Sequence, residues 1–267
     1  ATTAKGNIDA TNLVYQWPTD KELSGHITLT DIRVNGKPDS QWTAQSNLRG
    51  QGVLIKLPNG KILTTDLIGA GVMQYLTQAK TFQIKSNYQL SNAAFKISSG
   101  ITLTGSPSGT VSVTSKTDPL KPLPYNGWME FKDGSFQGTK IGAIENIKGA
   151  VSFENNALQT SGLDFLALGM PASLKGTLND FSSPSLNIEV HVNDFDLAAT
   201  QEIIPEVIHK NQLTLQGIAP SVDISYKGAI DTSENADIRF SAELKDSVIT
   251  SGSLNKTASK LAGNVSY

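Results

Sequence analysis

The sequence contains no cysteine among its 267 residues, and it has little charge and few aromatic side chains. Without cysteine the chain has no disulfide, no thiolate metal ligand and no cysteine nucleophile. Charged residues make up 17% of the chain, the net charge is -2, and no cluster of lysine and arginine occurs. Binding to nucleic acid requires concentrated positive charge, so the composition predicts no nucleic-acid partner.

Long apolar runs are also missing. The longest are residues 67–73 and 163–174; both are too short to cross a bilayer, and the second contains Asp164 and Pro171. The first residues show no signal peptide. The chain has no initiator methionine and stops within a strand-like segment, so we expect a piece of a longer or processed protein.

What the sequence does have is alternation of apolar and polar residues with a period of two. From Leu186 to Asn193, four aliphatic residues alternate with Asn, Glu, His and Asn. This pattern is typical of a strand with one dry face and one wet face. Turn residues, such as those at 58–60, separate the segments, and no regular helices intervene. The sequence therefore predicts a mainly-β fold of antiparallel meanders, curled into a groove or closed as a sandwich.

Two segments depart from this alternation. Residues 66–78 begin at Asp66, a candidate helix cap, and their apolar residues suggest one helical face. Residues 196–210 show a helical stripe that Pro205 interrupts, which predicts a kink or a break there. We expect two short amphipathic helices among the strands.

The two helical segments mark corresponding positions in an internal duplication of the sequence. In each copy a helix is followed by strands, then by a Lys-Asp pair and a glycine-containing strand. The spacings from Asp133 to Gly149 and from Asp246 to Gly263 agree to within one residue. A repeated strand unit buries its apolar face by stacking on its neighbour. The duplication predicts two β-rich repeat regions, residues 1–125 and 126–267, each with one helix.

Catalytic constellations are missing from the sequence, and we predict that the protein is not an enzyme. No phosphate-binding loop, dinucleotide-binding motif or nucleophile elbow has its strand–turn–helix context. Glu189 and His191 have the spacing of two metal ligands but lack a third, and His26 has no evident partner, so we predict no metal and no cofactor. Asp194 and Asp196 lack the spacing of a Ca²⁺ loop and are interpreted as turn and capping residues.

A series of motifs in the second half of the chain carries a family resemblance. They are KDG at 132–134, NIKGAVSF at 146–153, GMPASLKG at 169–176, LNDFSSPSLN at 178–187 and DL at 196–197. In this order they make the segment from Trp128 to Tyr267 resemble the C-terminal repeat region of AsmA-like proteins, the Gram-negative envelope group that includes the TamB-type proteins.

The resemblance implies a periplasmic protein that is anchored to the inner membrane in its full-length form. It implies a β-sheet curled into an apolar groove, which conducts phospholipid acyl chains between membranes and serves outer-membrane lipid homeostasis. It implies no catalytic residues. The N-terminal anchor of the family is missing from this sequence, so attachment to the envelope membrane would depend on regions outside this chain.

The leading hypothesis is therefore a groove that binds phospholipid or another acyl-chain lipid. The alternating aliphatic residues are its candidate lining: Ile101, Leu103, Val111, Val113, Ile188, Val190, Val192, Leu213, Leu215, Val222 and Ile224. The same alternation would also form the closed core of a β-sandwich. The alternative hypothesis is accordingly an interaction module, such as an adhesin-like scaffold that binds protein or glycan.

Overall fold

A computed structural model describes residues 2–17, 21–37, 39–56, 61–98, 101–114, 124–138, 142–180, 183–199, 205–210, 212–229 and 236–266. These residues are almost entirely antiparallel β-structure, which confirms the predicted mainly-β fold. The strands are β1 Thr2–Trp17, β2 Lys21–Gly36, β3 Gln41–Lys56, β4 Ile62–Leu76, β5 Thr81–Ser98, β6 Ile101–Gly105, β7 Ser108–Thr114, β8 Tyr125–Gly138, β9 Gly142–Glu154, β10 Ala157–Ala167, β11 Met170–Asn179, β12 Ser185–Asp196, β13 Leu213–Ala229, β14 Asp237–Ser251 and β15 Lys256–Ser266. A 3₁₀ turn at Leu197–Ala199 and a short helix, α1, at Pro205–Lys210 accompany them.

The chain divides into two units. Unit 1 comprises Ala1–Phe136 and Ala150–Asn156, and unit 2 comprises Gln137–Gly149 and Ala157–Tyr267. In unit 1 each strand from β1 to β5 pairs with the next, β6 and β7 both pair with β5, and β7 pairs with β8. In unit 2 the strands from β10 to β15 form a simple antiparallel meander. The boundary predicted at residues 125 and 126 stays a prediction.

The strand register places apolar residues on a single face of unit 1. Directly opposite residues of neighbouring strands point to the same face of a sheet. One row across β2, β3, β4, β5 and β7 consists of Val34, Ala44, Met73, Ile84 and Val113. The row next to it, on the other face, is mostly polar: Arg33, Gln45, Val72, Lys85 and Ser112. Alternation along each strand thus becomes an apolar face and a polar face.

Unit 2 is built in the same way. The row across β11 to β14 on its apolar face consists of Ala172, Val192, Val222 and Ala242. On the polar face the neighbouring row is Ser173, His191, Asp223 and Ser241.

Mid-strand residues with a left-handed backbone recur through both units. Five of them are an Asn, Asp or Gly with φ near +50° that precedes a buried side chain: Gly52–Val53, Asn92–Ala93, Asn146–Ile147, Asp194–Phe195 and Asp246–Ser247. At the first, second and last of these the strand register shifts, as in a β-bulge. Bulges bend a strand and increase its twist, so these positions curve the sheet. Asn, Asp and Gly are the residues that tolerate this backbone conformation best.

Burial in unit 1 is concentrated where the strands bend. Val53 is only 2% exposed and Ala93 is buried on the same face, whereas Met73, farther along that face, is 41% exposed. Exposure on the apolar face of unit 1 therefore rises with distance from the bend. The described elements of unit 1 include no helix and no second sheet that covers this face.

The first predicted helix is wrong. Residues 66–76 belong to β4, which carries aliphatic side chains on both faces and therefore loses its visible alternation. Leu67 and Met73 lie on the apolar face, while Ile68 and Val72 are exposed on the polar face. Asp66 does not cap a helix; its Oδ1 accepts a hydrogen bond from the backbone N–H of Gly52 at 2.8 Å.

The second predicted helix is not borne out as one element over 196–210, and residues 200–204 lie outside the described residues. Asp196 ends β12, and its Oδ1 accepts a hydrogen bond from Ala198 N at 2.9 Å, so it caps only the 3₁₀ turn. The helix α1 begins at Pro205, because proline is accepted in the first helical turn and is excluded from the interior. His209 and Lys210 occupy its last turn.

The backbone at the end of the two motif copies agrees with the duplication. Asn146 and Lys260, which the duplication equates, have φ values of 55° and 56°. Gly149 and Gly263 have φ values of 127° and 136°. The agreement does not extend to the Lys-Asp pair, since Asp246 has a positive φ and Asp133 does not. The duplication therefore stays a prediction with local support.

Candidate functional site

The candidate site in unit 2 is its apolar face, which we call the unit 2 trough. One end of the trough is packed. Val192 and Val222 belong there to a buried cluster with Phe195 and Leu197. Leu197 lies in the 3₁₀ turn after β12, and Ile208 of α1 is also buried. The connection between β12 and β13 therefore contributes apolar side chains to this end.

The other end of the unit 2 trough is open to solvent. Ile224, opposite Val190 and Phe240, is 38% exposed. Ile238 on β14 is 48% exposed, and Val265 on the edge strand β15 is 47% exposed. Large aliphatic side chains are thus exposed together on one face. Contiguous exposed apolar patches are a feature of binding surfaces.

The structure brings together five of the predicted lining residues. Ile188, Val190 and Val192 follow one another on the trough face of β12, and Val190 and Val192 lie opposite Ile224 and Val222. Two more, Leu213 and Leu215, lie on β13, where Leu215 packs against the buried cluster.

The remaining predicted lining residues belong to unit 1. Leu103 lies opposite Phe95, and Val111 and Val113 lie opposite Ser86 and Ile84, all on the apolar face. Ile101 begins β6, but its side chain lies outside the described residues.

Sequence reasoning missed much of the apolar face of unit 1. Its members include Trp42, Met73, Tyr75 and Phe82, which follow one another across β3, β4 and β5. Because residues 66–78 were interpreted as a helix, Met73 and Tyr75 were not recognised as strand residues of this face. Trp42 and Phe82 could have been found, because both lie in segments rich in β-formers that follow a turn.

The polar face of unit 2 carries ion pairs. Lys175 Nζ lies 2.8 Å from Glu189 Oε2, and the pKa of Lys175 is raised by this hydrogen bond. His191 Nδ1 lies 2.7 Å from Asp223 Oδ1, and its Nε2 lies 3.1 Å from Asn193 Oδ1. Only the protonated imidazole donates to both oxygens, so these two bonds raise the pKa of His191. Glu189 and His191 thus have separate ionic partners and do not converge as metal ligands.

A broad concavity of about 960 Å³ lies over these ion pairs. Its wall includes Ser173, Ser225 and Ser241 besides the charged pairs. The charged and hydroxyl groups of this concavity are on the polar face, and strand residues of the unit 2 trough, among them Val190 and Ile224, also line it.

A histidine–aspartate pair also occurs in unit 1. His26 Nε2 lies 2.6 Å from Asp9 Oδ1, which also accepts a hydrogen bond from Thr28 Oγ1 at 3.0 Å. The hydrogen bonds from His26 and Thr28 lower the pKa of Asp9. His26, which has no evident partner in the sequence, acquires one because β1 and β2 are neighbours in the sheet.

Among the described residues no group of three His, Asp or Glu side chains is placed to hold a metal ion. Within the same residues, no helix has the length and hydropathy needed to cross a membrane. Comparison with known proteins found no matching family model, no matching curated protein and no matching solved structure.

Proposed function

We propose that the apolar faces of the two units bind the acyl chains of phospholipid or a similar lipid, as a non-enzymatic part of an envelope protein. The observation that carries this proposal is the burial pattern of unit 1. Its buried hydrophobic residues are Val53, Ala93 and Phe131 among those the structure describes, although the apolar face extends over many strands. The rest of that face is partly open to water.

A closed sandwich core would look different. In a sandwich, two sheets cover each other and their inner side chains interdigitate. The described residues of each unit offer one sheet, and large side chains such as Met73 and Ile238 stay more than 40% exposed on its apolar face. This pattern favours a trough over a sandwich core.

An acyl chain matches such a surface in chemistry. Each methylene that leaves water contributes about 0.8 kcal/mol, and the aliphatic side chains lose their own contact with water at the same time. No hydrogen bond has to be matched, so a wall of Val, Ile and Leu suffices. The sequence resemblance to the AsmA-like envelope group adds the periplasm and transfer of lipid between membranes to this proposal.

The test is native mass spectrometry of the mildly purified chain, combined with titration of a fluorescent fatty acid. We expect co-purified phospholipid and saturable uptake of the probe. The variant Ile238→Asp puts a charge on the exposed part of the unit 2 trough and should lose uptake there. The control Asn187→Asp adds the same charge on the polar face, opposite Lys227, and should bind as the wild type does.

A wild-type chain that carries no lipid and takes up no fatty acid would overturn the proposal. In that case the concavity on the polar face of unit 2 becomes the stronger site. Its hydroxyl groups and ion pairs favour the second candidate function, an interaction module for a protein or glycan surface.

A further inference from the structure

Five aromatic side chains lie toward one end of the strands of unit 1, in two groups. They are Trp42, Tyr75, Phe82, Tyr125 and Phe153, and we call them the aromatic lip. Trp42, Tyr75 and Phe82 lie opposite one another on the apolar face of β3, β4 and β5. Tyr125 of β8 packs on Phe153, with 6.3 Å between the ring centroids. The lip therefore borders the apolar face on the side where β2 turns into β3 and β4 into β5.

The rings of the lip lie against the sheet. A Cβ added to Gly36 would be 2.4 Å from the Trp42 ring, and one added to Gly127 would be 2.6 Å from the Phe153 ring. Gly36 thus leaves space for the indole ring above its backbone, whereas an added Cβ at Gly127 would meet the backbone oxygen of Thr110 as well as the Phe153 ring. The Trp42 and Phe153 rings therefore lie close to the backbone of a neighbouring strand.

Among the residues that the structure describes, the polar side-chain atoms of the lip have no hydrogen-bond partner. Within the part of the chain that the structure describes, no hydrogen bond is made by Trp42 Nε1, Tyr75 Oη or Tyr125 Oη. Tyr and Trp side chains usually find a partner when they are partly buried, except at a boundary where one end of the ring is apolar and the other is wet. The three rings are half-buried, as expected of side chains at such a boundary.

Lysines lie just beyond the lip. Lys37 follows β2 and Lys80 precedes β5, and their two turns are joined by a hydrogen bond of 3.0 Å from Thr77 N to Ser40 O. Both lysines are exposed and, among the described residues, neither forms an ion pair, although Asp39 shares the first turn. Arg33 and Lys85 add positive charge on the neighbouring polar face.

From the bend outward, unit 1 therefore presents aliphatic side chains, then amphipathic rings, then lysines. A glycerophospholipid has the same layers: acyl chains, glycerol esters and an anionic phosphate. Trp and Tyr favour the ester region of lipids, and lysine favours the phosphate. We propose that the aromatic lip and Lys37 and Lys80 bind the glycerol–phosphate region of a phospholipid whose acyl chains lie on the apolar face of unit 1. This inference rests on the proposed function and adds the orientation of the lipid on unit 1.

The position of the lipid is tested with a single-tryptophan protein, Trp17→Phe/Trp128→Phe, which retains Trp42. Phosphatidylglycerol is added with bromine atoms on the acyl chains, either close to the glycerol or close to the methyl ends. We expect stronger quenching of Trp42 fluorescence by the bromines near the glycerol. Equal quenching, or stronger quenching by the bromines near the methyl ends, would overturn the inference.

The role of the charge is tested with Lys37→Gln/Lys80→Gln. Affinity for phosphatidylglycerol should fall about fivefold for each lysine lost, and affinity for diacylglycerol, which has no phosphate, should not change. Lys37→Arg/Lys80→Arg should restore binding. The control Lys61→Gln/Lys96→Gln, at the other end of the strands, should leave it unchanged.

The two proposals fail in different ways. If wild-type protein binds neither phosphatidylglycerol nor diacylglycerol, the proposed function itself fails. If it binds both and the lysine substitutions at 37 and 80 weaken neither, acyl-chain binding stands and the role of the lip is overturned.

Discussion

Val222 and Ile224 lie two residues apart on the same face of β13, yet Val222 is 2% exposed and Ile224 is 38% exposed. The transition from packed cluster to open trough therefore takes place within two residues. This pair allows the contribution of the apolar face to stability to be tested apart from its proposed role in binding.

A charge at these two positions should have opposite consequences. Val222→Asp buries an unpaired carboxylate, which costs several kcal/mol, and we expect loss of the fold of unit 2. Ile224→Asp leaves its carboxylate within reach of water, so the chain should stay folded and lose affinity for a fluorescent fatty acid. Urea denaturation and probe titration measure the two effects. Unfolding by Ile224→Asp would indicate a closed core at this position.

The left-handed residues at the bends lead to a prediction about backbone strain. Asn92 has φ of 53° and precedes the buried Ala93 at a register shift between β4 and β5. A β-branched side chain is disfavoured in this conformation, so Asn92→Val should lower the free energy of unfolding by about 1–2 kcal/mol. Asn92→Gly should be nearly neutral. These values come from urea denaturation of the purified variants.

A control for this prediction is available on the same strand. Asn87 is exposed on the polar face of β5 in regular extended backbone, where valine is a good strand former. Asn87→Val should not destabilise the protein. If Asn87→Val lowers the free energy of unfolding as much as Asn92→Val does, the loss at residue 92 results from removing a polar side chain and not from the left-handed backbone.

The strands were predictable because period-two alternation survives wherever one face is apolar. It survives on β12, where Val190 and Val192 alternate with His191 and Asn193. It fails on β4, where Ile68 and Val72 place aliphatic side chains on the polar face as well. A strand that is apolar on both faces has no period of two, and Asp66 then resembles a helix cap.

The bends and the lip were not predictable from periodicity. Asp194 and Asn146 were interpreted by composition as turn or motif residues, although each lies inside a strand with a left-handed backbone. The signal was present as an Asn or Asp in mid-strand, followed by an apolar residue. The row of Trp42, Tyr75 and Phe82 and the contact of Tyr125 with Phe153 depend on which strands are neighbours. Alternation along one strand contains no information about this.

The pair of His191 and Asp223 predicts a pH dependence. The pKa of His191 is raised in the folded protein, so the pair stabilises the fold below the ordinary histidine pKa of about 6.5 and loses this contribution as pH rises through the raised value. Asp223→Asn should bring the pKa of His191, measured by NMR titration, back toward its ordinary value.

The effect of the pair on stability should be small. The His191 side chain is 41% exposed, and solvent screens the interaction to about 0.5 kcal/mol or less. The difference in unfolding free energy between wild type and Asp223→Asn should be largest near pH 6 and should shrink toward pH 9. A difference that grows with pH would contradict the assigned ion pair.

The contact between Gly36 and Trp42 gives a prediction for the lip. Alanine at residue 36 would place its Cβ 2.4 Å from the indole ring, so the ring has to move off the strand. Overpacking of this kind costs about 1–3 kcal/mol, and Trp42 fluorescence should shift as its surroundings change.

Gly6 lies on the same apolar face, on β1, and nothing lies within 4 Å of a Cβ added there. Gly6→Ala should therefore be neutral or stabilise the strand by about 0.5 kcal/mol, since glycine is unfavourable in strand interiors. Equal thermal denaturation midpoints for the two variants would show that the ring does not depend on the space above Gly36.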